Sequence, residues 1–127
     1  MECDQLLFFE EEPYEEIQSK VIKELRMYRA LKVKVENIEE RKEKGIIHPY
    51  PGPIEGIEDS FLKVKQMERA LSQSLDAEER NIIEMKYLSG ERVKDINVYM
   101  DLGMKKDRYY ILKKNAIRYL ATALGII

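Results

Sequence analysis

The residues with the clearest chemical potential lie in the last third of the chain, between positions 102 and 127. This stretch holds six lysines and arginines and one acid, Asp107, so its charge balance is +5. Ammonium and guanidinium groups donate hydrogen bonds to phosphate oxygens and, from a helix in the major groove, to guanine acceptors. The stretch therefore predicts attraction to a polyanion, and its helical pattern favours duplex DNA.

The apolar residues of the same stretch predict a helix from about Lys106 to Ala123 with one buried side. They recur at spacings of three and four, so they share one face of a helix. They are Tyr109, Leu112, Ala116, Leu120 and Ala123, with Tyr119 at the border. The opposite, basic side receives Lys106, Tyr110, Lys113, Lys114 and Arg118. A short helix over residues 95–101, capped by Asp95, and a turn at 102–104 precede it, which is the order of a helix-turn-helix unit.

The predicted DNA contacts divide by position along this unit. Side chains near the start of a recognition helix reach base edges, whereas phosphate contacts fix position without reading sequence. The base-reading candidates are Lys106, Arg108 and Tyr110. The phosphate-binding candidates are Lys105, Lys113 and Lys114, and Arg118 lies on the same basic side. Arg92 and Lys94, ahead of the short helix, are predicted to hold the backbone on the other flank. A basic face that serves solubility alone is the alternative interpretation.

The elements upstream must support this unit, and they too are predicted to be helical. Apolar residues step by three and four from Tyr14 to about Lys44, a helix of roughly 46 Å at about 1.5 Å per residue. A second helix is predicted over residues 57–75. A third begins after Asp76, which with Glu79 forms a capping box, and Ser89-Gly90 ends it. No stretch alternates with period two for long enough to suggest a sheet, so the predicted fold class is all-α.

The long first helix cannot bury its apolar stripe against itself. The stripe consists of Ile17, Val21, Leu25, Tyr28, Leu31, Val35 and Ile38. A stripe of this length is long for a C-terminal domain of about seventy residues to cover. We therefore expect a homodimer through this helix, and a monomer whose first helix folds back across the others is the alternative.

Composition divides the chain into three parts. Residues 1–44 form an acidic arm and the long helix, residues 45–56 form a linker rich in proline and glycine, and residues 57–127 form the predicted DNA-binding domain. Residues 1–60 carry 9 basic and 15 acidic groups, a balance of −6, whereas residues 61–127 carry 13 and 9, a balance of +4. DNA is therefore expected to approach the C-terminal part. The apolar run Leu6–Phe9 beside three glutamates predicts an arm that is folded onto the body of the protein or disordered, and docking on a protein partner is the alternative.

The sequence argues against several other classes. Cys3 is the only cysteine and His48 the only histidine, which excludes an internal disulfide and makes a zinc site a poor interpretation. The chain lacks a phosphate-binding loop motif and a zinc-protease motif, so no enzyme activity and no cofactor are expected. It also lacks a basic signal-peptide start and a run of apolar residues long enough to cross a membrane. We expect a cytoplasmic location.

A family resemblance rests on the segments LDAEERNIIEMKYL and VYMDLGMKKDRYYILKKNAIRYLATAL. They resemble the region of bacterial sigma factors that reads the −35 promoter element. The chain is more similar still to ArpU-type phage transcriptional regulators. That family shows an acid-rich start with paired aromatics, a long charged helix (here YEEIQSKVIKELRMYRALKVK), and a final helix with a tyrosine pair, a lysine and a small residue. Here these last are Tyr109, Tyr110, Lys113 and Ala116.

The resemblance implies an all-helical phage or prophage protein that regulates late genes. It would bind promoter DNA with a recognition helix that begins near Lys105, and RNA polymerase is a candidate partner. The chain departs from generic helix-turn-helix units at Tyr99, where they have a small residue. Two other functions stay open: a helical protein-interaction module, such as an adaptor or an anti-sigma-like binder, and a small terminase-like DNA-packaging protein.

Overall fold

The computed structural model describes residues 13–45, 50 and 56–127. These residues form five α-helices and contain no strand, so the all-α prediction is confirmed. The helices are α1 (Tyr14–Lys44), α2 (Ile57–Gln73), α3 (Ala77–Ile83), α4 (Asp95–Asp101) and α5 (Lys106–Ala123). A π-helical stretch, Glu84–Leu88, continues α3 without a break. The Leu6–Phe9 arm, Cys3, His48 and most of the 45–56 linker lie outside the described residues.

The ends of α1 follow from local sequence signals. Pro13 is the N-cap residue, directly before the first helical residue, and has an extended backbone conformation. Glu15 and Glu16 lie in the first turn, where negative charge interacts favourably with the helix dipole. Gly45 ends the helix with a φ of 65°, a left-handed conformation that glycine adopts without steric cost. The predicted bounds of this helix are confirmed.

The corner between α2 and α3 is fixed by polar contacts. The predicted capping box is present: the Glu79 N–H donates to Asp76 Oδ1 at 2.8 Å, and the Asp76 N–H donates to Glu79 Oε1 at 3.0 Å. Arg80 then reaches back to the end of α2, where its guanidinium donates to the carbonyls of Leu71 and Ser72 at 2.9 and 3.0 Å. These carbonyls have no partner within α2 itself, so the arginine acts as a C-terminal cap.

The apolar stripe of α1 is buried within the chain. Helix α2 runs antiparallel to α1, because Ser60 lies against Lys34 while Glu68, further along α2, lies against Tyr28. Helix α5 and the π-helical stretch cover the rest, so that α1, α2 and α5 share one core. The structure therefore shows the alternative arrangement, in which the first helix folds back across the others, and Leu31 alone of the stripe is only partly buried. The helices α2 and α5 both lie along α1, so together they supply enough apolar surface to cover the stripe.

A second, smaller core joins α3, α4 and α5. Ile82, Val98 and Tyr109 are its fully buried members, and Leu112 packs against them while remaining partly exposed. The buried side of α5 differs in part from the predicted stripe. Ile117, which the stripe omitted, is fully buried, whereas Ala123, which the stripe included, is exposed. The reason is that α5 lies between α1 and α3, so two neighbours cover a wider sector than a single stripe describes.

Candidate nucleic-acid interface

The start of α4 is tied to α5 by one carboxylate. Asp95 is the first helical residue and Lys94 is the N-cap, with no side-chain cap, so the prediction that Asp95 caps the helix is wrong. Its Oδ1 atom instead accepts hydrogen bonds from the Tyr109 hydroxyl at 2.5 Å and from Lys113 Nζ at 3.0 Å. Lys86 Nζ lies 3.7 Å from the same oxygen. The carboxylate thus links α4, α5 and the π-helical stretch.

The hydrogen bonds within this cluster shift the pKa of each member so that its protonation state at neutral pH is favoured. Burial raises the pKa of Asp95, but hydrogen bonds from Tyr109 and Lys113 outweigh it, and the pKa falls below its usual value. Burial raises the pKa of Tyr109, and its bond to Asp95 raises it further. Burial lowers the pKa of Lys113, but the bond to Asp95 and nearby Tyr87 raise it by more. At neutral pH the cluster therefore holds an ionised carboxylate, a neutral tyrosine and a charged ammonium group.

Lys113 lies inside the protein, which corrects its placement on the exposed basic side of α5. Only 7% of the residue is exposed, and its ammonium group is held by Asp95 as described above. Two aromatic rings complete its surroundings, since Nζ lies 5.8 Å from the ring centre of Tyr87 and 5.9 Å from that of Tyr110. Sequence spacing alone could not separate Lys113 from Lys114, because an internal partner for one lysine is a tertiary feature.

The remaining basic residues of α5 line its exposed side. Lys105, Lys106 and Lys114 are exposed, and Tyr110 is 42% exposed beside them. Ile111 is 62% exposed on the same side and was not among the predicted site residues. The only sequence feature that pointed to Ile111 was the presence of a β-branched residue among the basic residues of this helix. This side of α5 therefore offers ammonium donors, one phenol and one apolar side chain.

Arg108 is paired on the surface. Its Nη2 atom lies 2.7 Å from Glu78 Oε1 on α3, and both side chains are about half exposed. Exposed ion pairs of this kind contribute roughly 0.2–1 kcal/mol. The pair holds the guanidinium group beside the start of α5. Because the pair is weak, another anion can replace the Glu78 carboxylate.

The basic side of α5 continues onto the first turn of α1. Lys114 Nζ lies 4.9 Å from the ring centre of Tyr14, and the Arg118 guanidinium carbon lies 5.7 Å from it. Both distances suit cation–π attraction. Burial, with nearby Tyr87 adding to it, raises the pKa of Tyr14 to about 12, so its hydroxyl stays protonated at neutral pH. The contribution of Tyr14 to this surface was not predicted, because it depends on how α1 packs against α5.

The turn between α4 and α5 sets how the two helices meet. The Met104 N–H donates to the Tyr99 carbonyl at 2.8 Å, and the Gly103 N–H donates to the Met100 carbonyl at 3.1 Å. Gly103 has a φ of 64°, which this pattern of helix termination requires. The Tyr99 ring, at the position where a small residue is usual, lies 5.5 Å from the Tyr109 ring. The tyrosine therefore fills the space between α4 and α5.

The predicted flanking contacts lie in the loop before α4. Arg92 and Lys94 are both exposed there. Lys86 Nζ donates to the Val93 carbonyl, which fixes the loop to the π-helical stretch. Arg92 faces α1 across a cleft, so the structure groups it with residues of α1 and not with the exposed side of α5.

Comparison with family models, with curated proteins and with solved structures finds no match to this chain. Within residues 13–45, 50 and 56–127, no group of three or more His, Cys, Asp or Glu side chains could hold a metal ion. None of the described helices combines the length and the apolar character needed to cross a membrane. The case for function therefore depends on the geometry of α4 and α5.

Proposed function

We propose that this protein is a sequence-specific DNA-binding regulator of transcription, of the type found in phages and prophages. In this proposal α4, the 102–104 turn and α5 act as a sigma region-4-like helix-turn-helix unit. Helix α5 enters the major groove with its exposed side. The likeness to ArpU-type regulators described above supports the phage setting, and the promoter is the expected target.

One observation carries the proposal: α5 is fixed on one side and basic on the other. The Asp95–Tyr109–Lys113 cluster and the Ile82–Val98–Tyr109 core hold it against α4 and α3. The exposed side keeps Lys105, Lys106 and Lys114. A rigid helix that presents donors in a fixed register suits direct readout, because base discrimination needs side chains held in place.

The exposed side chains of α5 have distinct proposed roles. Lys106 and Tyr110 lie nearest the start of the helix and face base edges. Lys105 and Lys114 contact phosphates. Ile111 is suited to the methyl group of thymine, which apolar side chains recognise in the major groove. Arg108 reaches DNA only after it leaves Glu78, so its contribution is smaller than that of the lysines on this side.

The test is selection of bound duplexes from random DNA, followed by affinity measurement across a salt series. The variant Lys105→Gln/Lys114→Gln should reduce the slope of log affinity against log salt by about two, since each phosphate contact contributes about 0.9. The matched control is Lys63→Gln/Lys65→Gln on α2, which removes the same charge from another helix. The control should leave the slope unchanged.

Two results would contradict the proposal. The first is an intact chain that selects no consensus sequence and binds no duplex at low salt. The second is an equal loss of affinity in the α5 variant and the α2 control, which would indicate general charge attraction without a recognition helix.

A protein-interaction module is the second candidate, because α4 exposes two apolar residues one turn apart. Ile96 is 53% exposed and Met100 is 69% exposed. Such a pair suits a small apolar contact with a partner such as RNA polymerase. Ile96→Ser/Met100→Ser should abolish a transcriptional effect while leaving DNA affinity intact if this contact serves the regulator. If the parent chain binds no DNA and Ile96→Ser/Met100→Ser still loses the transcriptional effect, the result would favour the interaction module.

A further inference from the structure

A cleft of about 480 Å³ lies between α1 and the loop that leads into α4. Basic side chains predominate in its walls: four of them face a single acid, Glu91. The four are Arg26, Arg29, Lys86 and Arg92. The two arginines of α1 are three residues apart, so they lie on one side of that helix. The cleft therefore carries a local balance of +3 in a chain whose net charge is −2.

Three of these cations form no ion pair with another described residue. Lys86 is occupied by the Val93 carbonyl and Asp95. By contrast, no ion pair among the described residues includes Arg26, Arg29 or Arg92. Guanidinium groups that converge on one concavity repel one another unless an anion lies between them. Their planar forks match the oxygens of a phosphate group, which they bind in a bidentate manner.

The loop backbone approaches one of these arginines closely. Gly90 has a φ of 88°, and a Cβ atom placed there would lie 3.0 Å from Arg29 Nη2. A side chain at this position would thus crowd the guanidinium group, whereas glycine leaves space between the loop and α1. Glycine at this position therefore lets the loop and Arg29 lie close together at the edge of the cleft.

The cleft shares helix α1 with Tyr14, which borders the basic side of α5. Tyr87, which lines the cleft, also lies under the Lys113 ammonium group. Tyr14, which contacts Lys114 and Arg118, precedes Arg26 by twelve residues of α1, or about 18 Å. The major groove is about 12 Å wide. The separation along α1 exceeds this width, so a duplex that holds α5 in its groove must also extend along α1 for its backbone to reach the cleft.

We propose that this cleft binds phosphate through Arg26, Arg29 and Arg92. The phosphate has two sources: the backbone of the duplex that α5 contacts, or a free nucleotide or inorganic phosphate. The backbone source rests on the proposed function, whereas a free phosphate does not. With the backbone source, α1 positions the duplex and α5 reads it, so the acidic N-terminal half contributes directly to DNA binding.

The first arm of the test measures the backbone source. Affinity for a mixed-sequence duplex is measured across a salt series for the intact chain and for Arg26→Gln/Arg29→Gln. Two lost phosphate contacts should lower the salt slope by about 1.8. Lys63→Gln/Lys65→Gln again serves as the charge-matched control and should keep the parent slope. Thermal unfolding of each variant checks that the fold is retained, which is expected because both arginines are exposed.

The second arm measures the free source with inorganic pyrophosphate. Titration of the isotope-labelled chain should shift the amide resonances of Gly90 and Arg92. The Arg26→Gln/Arg29→Gln variant should bind pyrophosphate about tenfold or more weakly, since a hydrogen bond to a charged group contributes about 1.5–3 kcal/mol. The α2 control should bind like the parent.

The two arms together decide the proposal. A reduced salt slope in the cleft variant assigns the cleft to the DNA backbone. An unchanged slope with pyrophosphate binding that depends on the two arginines assigns it to a free phosphate. If the parent binds no DNA but binds pyrophosphate at Gly90, the phosphate site stands and the proposed function fails. The proposal is overturned if Arg26→Gln/Arg29→Gln keeps the salt slope of the parent and also binds pyrophosphate as well as the parent does.

Discussion

Replacing Asp95 with alanine should destabilise the protein more than any exposed charge change on the same helix. The substitution removes the acceptor for the Tyr109 hydroxyl and for the Lys113 ammonium group. Tyr109 is fully buried and Lys113 is 7% exposed, so neither group gains full hydration in exchange. A buried polar group left without a partner costs about 1–3 kcal/mol, and a buried charge that loses its partner costs about 3–5 kcal/mol.

These two costs overlap, and partial hydration reduces them. The Asp95 side chain is 25% exposed, so water can enter the space that the carboxylate leaves. We therefore expect a loss near the lower end of the range for a broken buried pair, about 3 kcal/mol. This is a large part of the 5–15 kcal/mol that stabilises a typical domain. Asp101→Ala, at an exposed position at the end of α4, should change stability by less than about 0.5 kcal/mol.

A double-mutant cycle separates the ion pair from the other effects. Urea unfolding followed by far-ultraviolet circular dichroism gives the free energy of unfolding for Asp95→Ala, Lys113→Met and the double variant. The double variant should be more stable than Asp95→Ala alone, because methionine removes the unpaired buried charge. The coupling energy should be about 1–3 kcal/mol. Additive single effects, or an equal loss in Asp101→Ala, would refute the argument that this carboxylate holds α4 to α5.

Three further predictions concern pH, backbone and specificity. The pKa of Asp95 is lowered on folding, so its stabilising effect should be full above the unfolded value of about 3.8 and be lost as pH falls through the folded pKa. As pH falls through this range, the free energy of unfolding should therefore decrease less for Asp95→Ala than for the parent. Gly103→Ala should cost about 1–2 kcal/mol in urea unfolding from its positive φ alone, since no atom within 4 Å would obstruct the new Cβ, and Gly103→Asn should cost less. Ile111→Ser should leave the melting temperature unchanged and alter the sequence selected from random DNA at one thymine position, whereas an unaltered selection would exclude Ile111 from base contact.

The helices could be predicted from the sequence because their signals are local. Periodic apolar residues defined α1 and α5, the Asp76 and Glu79 pair defined the start of α3, and the Leu102-Gly103-Met104 turn separated α4 from α5. Each depends on residues within about one turn of the boundary. The confirmed bounds of α1, α4 and α5 follow from this locality.

The features that could not be predicted depend on contacts between distant residues. Lys113 and Lys114 are adjacent in sequence, yet only Lys113 meets Asp95, eighteen positions away. The cleft joins Arg26 and Arg29 to Arg92, more than sixty positions further along the chain. Periodicity describes which side of a helix is apolar, but it does not specify which neighbour covers that side or which polar partner a buried lysine finds.

The burial of α1 against α5 has a consequence for how the protein is made. Residues from 45 to 123 must be synthesised after α1 before α5 is complete. At about 5–20 residues per second this takes roughly 4 to 16 seconds. During that interval part of the apolar stripe of α1 lacks its final cover, which favours transient binding by a chaperone. The same dependence means that a fragment without α1 would expose the core face of α5, so a truncated C-terminal fragment should aggregate unless the residues of α5 that face the stripe are also made polar.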